Sequence, residues 1–189
     1  MKKRLIRLAA LSAFAVPVSM AQAATGTIDF IGEVTSDTCS LEPSSAYIKV
    51  YLGAPTVAAL SSNIYSTPAS FTITLSNCDP SSLDTAIFSF SGGTIAGTQD
   101  SLLRLVSNGG DEAQNVGVGI ARKTDDLSDL TGNRILFNGT EAGGVKLEKL
   151  QVGTNIIELY AFYEAYDVAN NPPTAGRANA QATFIVTYS

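Results

Sequence analysis

The stretch "ANAQATFIVTYS", residues 178–189, decides the fold class of this chain. Its even positions are apolar and its odd positions are polar, with Ile185 as the exception. Alternation over this length predicts a β-strand with one face buried and the other in solvent. The apolar positions are Ala178, Ala180, Ala182, Phe184, Val186 and Tyr188. Because the pattern continues to the last residues, the question is which strand pairs with this one.

Strand-like runs recur along the rest of the chain, between clusters of Gly, Asn, Pro and Ser. No stretch combines helical periodicity with capping residues over ten or more positions, so the sequence predicts strands and no helices. Short strands with regular turns predict an all-β Greek-key sandwich of the immunoglobulin-like kind. The predicted strands are 46–52, 70–76, 85–92, 101–107, 115–122, 134–139, 145–153 and 155–166.

The first residues have the parts of a secretory signal peptide. A basic head precedes an apolar stretch from Leu8 to Met20, and small residues flank Gln22. We expect residues 1–23 to be removed after Ala23, which predicts an exported protein of one domain. A membrane anchor is the alternative, and the polar and proline interruptions of the stretch disfavour it.

Charge and composition restrict the function. The mature chain would keep 8 Lys and Arg against 17 Asp and Glu, a net charge of 8 − 17 = −9. So acidic a protein is a poor partner for nucleic acid or an anionic membrane. The chain has no histidine, which removes His-dependent triads, the commonest general base and the commonest metal ligand. We therefore expect no enzyme activity, no metal and no cofactor.

Three local motifs are candidate sites. The loop with Asp125, Asp126 and Asp129 lacks the ligand spacing of a calcium loop. The segment "NVGVGI" lacks the third glycine and the helix of a phosphate cradle. Cys39 and Cys78 are an even pair in an exported chain, which favours a disulfide over a free thiol.

A second alternating segment lies before Cys39, at residues 24–38. Ile28, Phe30, Gly32 and Val34 fall on one parity. This strand could complete the sandwich of its own chain, but only four residues, Thr35 to Thr38, lie between Val34 and Cys39, and they span at most about 14 Å. The alternative is that the strand is donated to another molecule.

In their order, these segments resemble a chaperone-usher pilin of the type 1 fimbrial family. The resemblance rests on "GTIDFIGEV" before the first cysteine, the second cysteine in "LSNCD", the segment "NVGVGI" and the ending "GRANAQATFIVTYS". In that ending Gly176 is the fourteenth residue from the C-terminus and Tyr188 is the penultimate one.

The resemblance implies an immunoglobulin-like domain at 39–189 that lacks its last strand and is completed by a donated strand. The donor strand would be residues 24–38, with Ile28, Phe30 and Val34 inserted into the core and Gly32 opposite a shallow pocket. A periplasmic chaperone would first occupy the acceptor edge, and the next subunit would replace it at an outer-membrane usher. The edge and the chaperone contact would comprise Gly176, Phe184, Val186, Tyr188 and Ser189.

The implied function is that of a structural subunit of a surface fimbria, exported through the periplasm and supporting cell adhesion. Two alternatives stay open. Only 15 residues lie between the expected cleavage site and Cys39, a length that also resembles minor tip or adaptor subunits. The second alternative is a self-complete secreted adhesive module, which would not need a donated strand.

Overall fold

The computed structural model of the chain describes residues 38–189, apart from 108, 124–129 and 131. The predicted signal peptide lies outside the described residues. So do residues 24–37 of the predicted donor strand, with Ile28, Phe30, Gly32 and Val34 among them. The acidic loop of Asp125, Asp126 and Asp129 also falls outside them.

Strands form two antiparallel sheets in the described part of the chain. One sheet has the order β1-β2-β6-β4 and the other the order β5-β3-β7. Most pairings join strands that are distant in the sequence, which is the Greek-key arrangement that the sequence predicted. The strands are β1 (Ser40–Leu41), β2 (Ala69–Cys78), β3 (Ala86–Gly92), β4 (Val116–Arg122), β5 (Val145–Leu147), β6 (Gly153–Ala165) and β7 (Ala182–Tyr188).

Alternate residues of both sheets meet in one core. Ile73 and Leu75 on β2, Leu159 on β6 and Phe88 on β3 are fully buried. Each such side chain stabilises the fold by about 1.5–3 kcal/mol relative to exposure. The sheets are therefore held together by the period-2 alternation that marks these strands in the sequence.

A disulfide joins Cys39 to Cys78, as predicted. It links the chain just before β1 to the last residue of β2, and the Asp79 N–H donates to the Thr38 carbonyl at 2.9 Å. The start of the described chain is thereby fixed against the first sheet.

Several expectations about local structure were wrong. The described residues include two short α-helices, α1 (Pro43–Ala46) and α2 (Val57–Asn63), and a 3₁₀ turn at Glu141–Gly143. The seven residues of α2 are too few to show helical periodicity over ten or more positions. Thr56 caps this helix, because its side chain accepts a hydrogen bond from the Ala59 N–H at 3.1 Å.

Four predicted strands also differ from the structure. Residues 46–52 form no strand with other described residues, and 101–107 and 134–139 take part only in isolated bridges. The run 145–153 forms a strand at Val145–Leu147, and its last residue, Gly153, begins β6. Strand propensity is present in these runs, but each lacks a neighbouring strand that pairs along its whole length.

None of the helices in the described part of the chain is long and apolar enough to cross a bilayer.

Candidate functional site: the open edge of the last strand

The last strand, β7, lies at one end of its sheet. It pairs with β3 on one side, from Ala86 opposite Tyr188 to Gly92 opposite Ala182. Among the described residues no strand pairs with its other side. A strand in this position presents backbone donors and acceptors along its free side and is a template for an added strand.

Hydrogen bonding shows which residues face the free side. Thr85 and Ser189 exchange both of their backbone bonds, at 3.2 and 3.0 Å. In an antiparallel ladder such pairs alternate with pairs that exchange no bonds, so the odd residues of β7 bond to β3. The even residues direct their N–H and C=O groups away from β3. Consistent with this, the carbonyl of Phe90, which lies opposite Phe184, accepts a hydrogen bond from the Gly139 N–H at 2.8 Å, on the other side of β3.

The same even residues turn their side chains toward the core. From 178 to 186 the even positions are half-buried and the odd positions are exposed. The Phe184 ring lies 6.5 Å from the Phe88 ring and 6.0 Å from the Phe90 ring, centroid to centroid. Ile185, the exception to the sequence pattern, is 64% exposed. We call Ala180, Ala182, Phe184 and Val186 the open edge.

The alternation of bonds continues before β7 begins. The Arg177 N–H donates to the Asp111 carbonyl at 2.7 Å, and the Arg177 carbonyl accepts from the Ala113 N–H at 2.9 Å. The Asn179 carbonyl accepts from the Val106 N–H at 2.7 Å. Arg177 and Asn179 therefore bond to the body of the domain as the odd residues of β7 do, and the free side of the chain extends back to residue 178.

A second half-buried row packs against the same core as the open edge. In the extended segment 47–52, Ile48, Val50 and Leu52 are half-buried and contact the core, whereas the residues between them are exposed. Within the described residues this segment has no backbone hydrogen bond to a neighbouring strand. Its alternating pattern is the one from which the sequence predicted a strand.

Two tyrosine hydroxyls lie at the two ends of the open edge. The Tyr163 hydroxyl donates to the Ala178 carbonyl at 2.8 Å. At the other end, the Tyr188 hydroxyl donates to the Cys39 carbonyl at 3.3 Å. Burial raises the pKa of Tyr163 above its ordinary value, which keeps that hydroxyl protonated as a donor.

The predicted acceptor residues do not share one position. Phe184 and Val186 lie on the open edge, and Tyr188 lies at its end. Ser189 bonds toward β3 through Thr85, on the paired side. Gly176 lies six positions before β7, where a Cβ atom would collide with the backbone of Glu112 and Ala113.

The sequence did not indicate a site role for several of the residues that the structure brings to this site. Ala180 and Ala182 were part of the quoted pattern, and Ile48 was part of a predicted strand. Tyr163 was part of the predicted strand 155–166 and had no role assigned to it. No local signal in the sequence pairs its hydroxyl with Ala178, because the two residues are 15 positions apart and lie in different segments of the fold.

The other polar cluster packs on the outer face of the first sheet. Arg134 and Glu164 form an ion pair, with only 14% and 12% of their side chains exposed. Arg134 lies over the rings of Tyr65 and Phe162, at 5.7 and 5.9 Å from the centroids. Burial raises the pKa of Glu164, and Arg134 opposes that shift. Each of these groups has its partner within the cluster.

Within the described residues, no group of three or more His, Cys, Asp or Glu side chains could hold a metal ion. The open edge therefore offers backbone groups and apolar side chains for recognition. Such a surface fits a peptide in extended conformation.

Known proteins resemble this chain over its length. The sequence model described as fimbrial protein matches residues 25–189. The S-fimbrial protein subunit SfaA of Escherichia coli O6:K15:H31 is 34% identical over 194 residues, covering 100% of this chain and 99% of the relative. The type-1 fimbrial protein C chain of Escherichia coli is 36% identical over 194 residues, again covering 100% and 99%.

Solved structures share the fold. A chaperone-usher pilus structure superposes with a TM-score of 0.72 at 22% identity, over 91% of this chain and 100% of that one. The P pilus rod subunit PapA gives a TM-score of 0.64 at 22% identity, over 81% of this chain and 100% of that one.

Proposed function

The chain belongs to the fimbrial protein family of structural pilus subunits, and we propose that it polymerises by accepting a strand from a neighbouring subunit along its open edge. The observation that carries this proposal is the coincidence on β7 of two properties. The residues whose backbone groups face the free side are the residues whose side chains face the core.

The backbone side of this arrangement suits strand addition. Each open-edge residue presents one N–H and one C=O to the free side. A strand that pairs there forms a ladder of main-chain hydrogen bonds, the mode of recognition for which pilin strand donation is a known case. These bonds give affinity with little dependence on sequence.

The side-chain side gives selectivity. A donated strand would lay alternate side chains between the open edge and the row of Ile48, Val50 and Leu52. We propose Ile28, Phe30 and Val34 as those side chains and Gly32 as the residue opposite a shallow pocket. Burying three large apolar side chains contributes roughly 5–9 kcal/mol before the cost of ordering the strand.

The assembly that follows is a head-to-tail polymer. A donor at one end of each subunit and an acceptor edge on the next make a heterologous interface, which generates an open filament. Since an unfilled edge invites aggregation, a chaperone must cover it before assembly. We propose that a periplasmic chaperone does so and that subunits exchange at an outer-membrane usher on the way to the surface fimbria. A minor tip or adaptor position in the same filament stays an alternative prediction.

The test uses the mature chain, residues 24–189, with Gly32→Asn in its own extension. This change places a bulky side chain opposite the shallow pocket, so we expect the chain to accept a strand but not to donate one. Size-exclusion chromatography with light scattering is run with and without a 15-residue peptide copying residues 24–38. We expect aggregation or instability alone and a stable monomer with one peptide bound.

Matched controls make the result specific. The same peptide with Gly32→Asn should not rescue the monomer, and the mature chain without substitution should form head-to-tail oligomers. A Gly32→Asn chain that is already monomeric, stable and indifferent to the peptide would refute strand acceptance. That result would favour the self-complete adhesive module.

A further inference from the structure

We infer that the Tyr163 hydroxyl ends the acceptor edge at Ala178 and thereby fixes the register of the strand that the edge receives. The inference rests on the proposed function and concerns which of several possible registers is used. It assigns to Tyr163 the part of a positioning residue.

Alternation alone cannot fix that register. A slip of one residue turns the apolar side chains of a strand to the wrong face and is strongly disfavoured. A slip of two residues keeps every side chain on its correct face. Between Ala178 and Val186 the even residues repeat the same backbone geometry, so the ladder itself accepts a strand displaced by two. A stop at one end of the edge is needed to exclude that displacement.

Tyr163 lies where such a stop would act. It belongs to β6, in the opposite sheet, and its side chain crosses the core to donate to the Ala178 carbonyl at 2.8 Å. Ala178 is the first residue of the even row and so directs its carbonyl to the free side. A donated N–H that reached Ala178 would compete with the Tyr163 hydroxyl for the Ala178 carbonyl.

Hydrogen bonds of the Tyr163 backbone and burial of its side chain hold Tyr163 in place. Tyr163 is 9% exposed. Its N–H donates to the Ser66 hydroxyl at 2.9 Å, and its carbonyl accepts from the Ser66 N–H at 2.9 Å. The hydroxyl therefore stands at a fixed position relative to the first sheet. Displacing it would leave the Ala178 carbonyl to be satisfied by the incoming strand alone.

Ala178 is fixed as well. Its neighbours Arg177 and Asn179 bond to the segment 106–113 on the paired side. Neither partner of the Tyr163–Ala178 bond can move away without breaking other hydrogen bonds. The edge available to a donated strand thus begins at Ala180.

The experiment compares three mature chains that all carry Gly32→Asn, so that none donates its own strand: one with no other change, called the parent, one with Tyr163→Phe, and one with Tyr160→Phe as the matched control. Tyr160 lies on the same strand and faces away from the core, opposite Ser70. Competitive displacement of a fluorescent copy of residues 24–38 gives the affinity of each chain for three unlabelled peptides. Affinity ratios among the peptides are compared within one chain.

The first peptide copies residues 24–38. In the second, Gly32 and Phe30 exchange places, and in the third, Gly32 and Val34 exchange places. Each exchange moves the glycine by two residues, so each altered peptide fits its glycine opposite the shallow pocket only after a two-residue slip. The two slips run in opposite directions, and only one of them runs toward Ala178.

In Tyr163→Phe, we expect one altered peptide to gain affinity about 2- to 12-fold relative to the unaltered peptide, as the loss of one hydrogen bond predicts. The other altered peptide should not gain, and Tyr160→Phe should change neither ratio. A gain for both peptides, or for neither, would overturn the inference. Loss of binding of the unaltered peptide to the parent chain would instead refute the proposed function, and the inference with it.

Urea unfolding of the peptide-filled chains separates positioning from stability. A merely structural hydroxyl would lower the stability of Tyr163→Phe and leave the ratios among peptides unchanged, which would contradict the inference.

Discussion

The replacement of Gly176 by Ala tests the close backbone contact that positions the segment before the open edge. An ideal Cβ at this position would lie 2.8 Å from the Ala113 Cα atom and closer still to the Ala113 nitrogen. All of the atoms it meets are backbone, so no flexible side chain can yield. The segment must therefore separate from Glu112 and Ala113.

The expected cost follows from two contributions. Overpacking a close contact costs about 1–3 kcal/mol. Separation also strains the two backbone bonds of Arg177, to Asp111 and from Ala113, which are worth about 0.5–1.5 kcal/mol each. We expect Gly176→Ala to lower the free energy of unfolding by about 2–6 kcal/mol, a large part of the 5–15 kcal/mol of an ordinary domain.

The assay is urea unfolding of the mature, oxidised chain saturated with the peptide copying residues 24–38. Gly93→Ala is the matched control, because a Cβ there meets only the movable Arg104 side chain, at 3.3 Å. We expect the control to change stability by less than about 1 kcal/mol. Equal stabilities of the two variants would refute the argument that backbone contact requires a glycine at 176.

Three further predictions concern packing, the disulfide and charge. Phe184→Ala should lower the free energy of unfolding by about 2–4 kcal/mol, because its half-buried ring packs on the core. Ile185→Ala, on the exposed face, should lower it by less than about 1 kcal/mol. Equal losses of the two variants in urea unfolding would contradict the assigned faces. Replacing Cys39 and Cys78 together by Ala should lower the free energy of unfolding by about 3–4 kcal/mol, because the disulfide closes a loop of 39 residues. An unchanged free energy of unfolding would contradict this contribution of the disulfide. Burial raises the pKa of Glu164, so the folded state holds that proton more tightly than the unfolded state. Its contribution to stability is complete below the unfolded pKa of about 4.3 and is lost as pH rises through the higher folded pKa, so Glu164→Gln should flatten the fall of stability over that pH range.

The open edge shows how far sequence reasoning reached. The alternation of residues 178–189 predicted both the last strand and the faces of Phe184 and Val186, since side-chain direction in a strand depends only on local geometry. It did not predict that residues 178–181 precede the strand and hold their place through the segment 106–113. Those bonds join residues about 70 positions apart, and nothing in either segment identifies the other.

Local strand propensity did not predict whether a strand-like run has a pairing partner. The segment 47–52 has the alternation of a strand, and its half-buried residues contact the core, yet it pairs with no other described strand. The sequence correctly indicated the buried face of this segment. Pairing depends on a neighbour, which local alternation does not specify. The short helix α2 was missed because its stability comes from a capping threonine and packing, not from a long periodic pattern.

The sequence by itself determined strands such as β2, β6 and β7 and which side of each of these three is buried, because both follow from a repeat of two residues. It also determined the disulfide pair, since only two cysteines are present. Only the tertiary structure decided that β3 and β7 pair, as in the contact of Ser91 with Thr183 across 92 positions, and that the other side of β7 has no strand among the described residues. It alone brought the Tyr163 hydroxyl to Ala178. The physical reason is that strand pairing and contacts across the core join distant residues, whereas the alternation that reveals a strand is local.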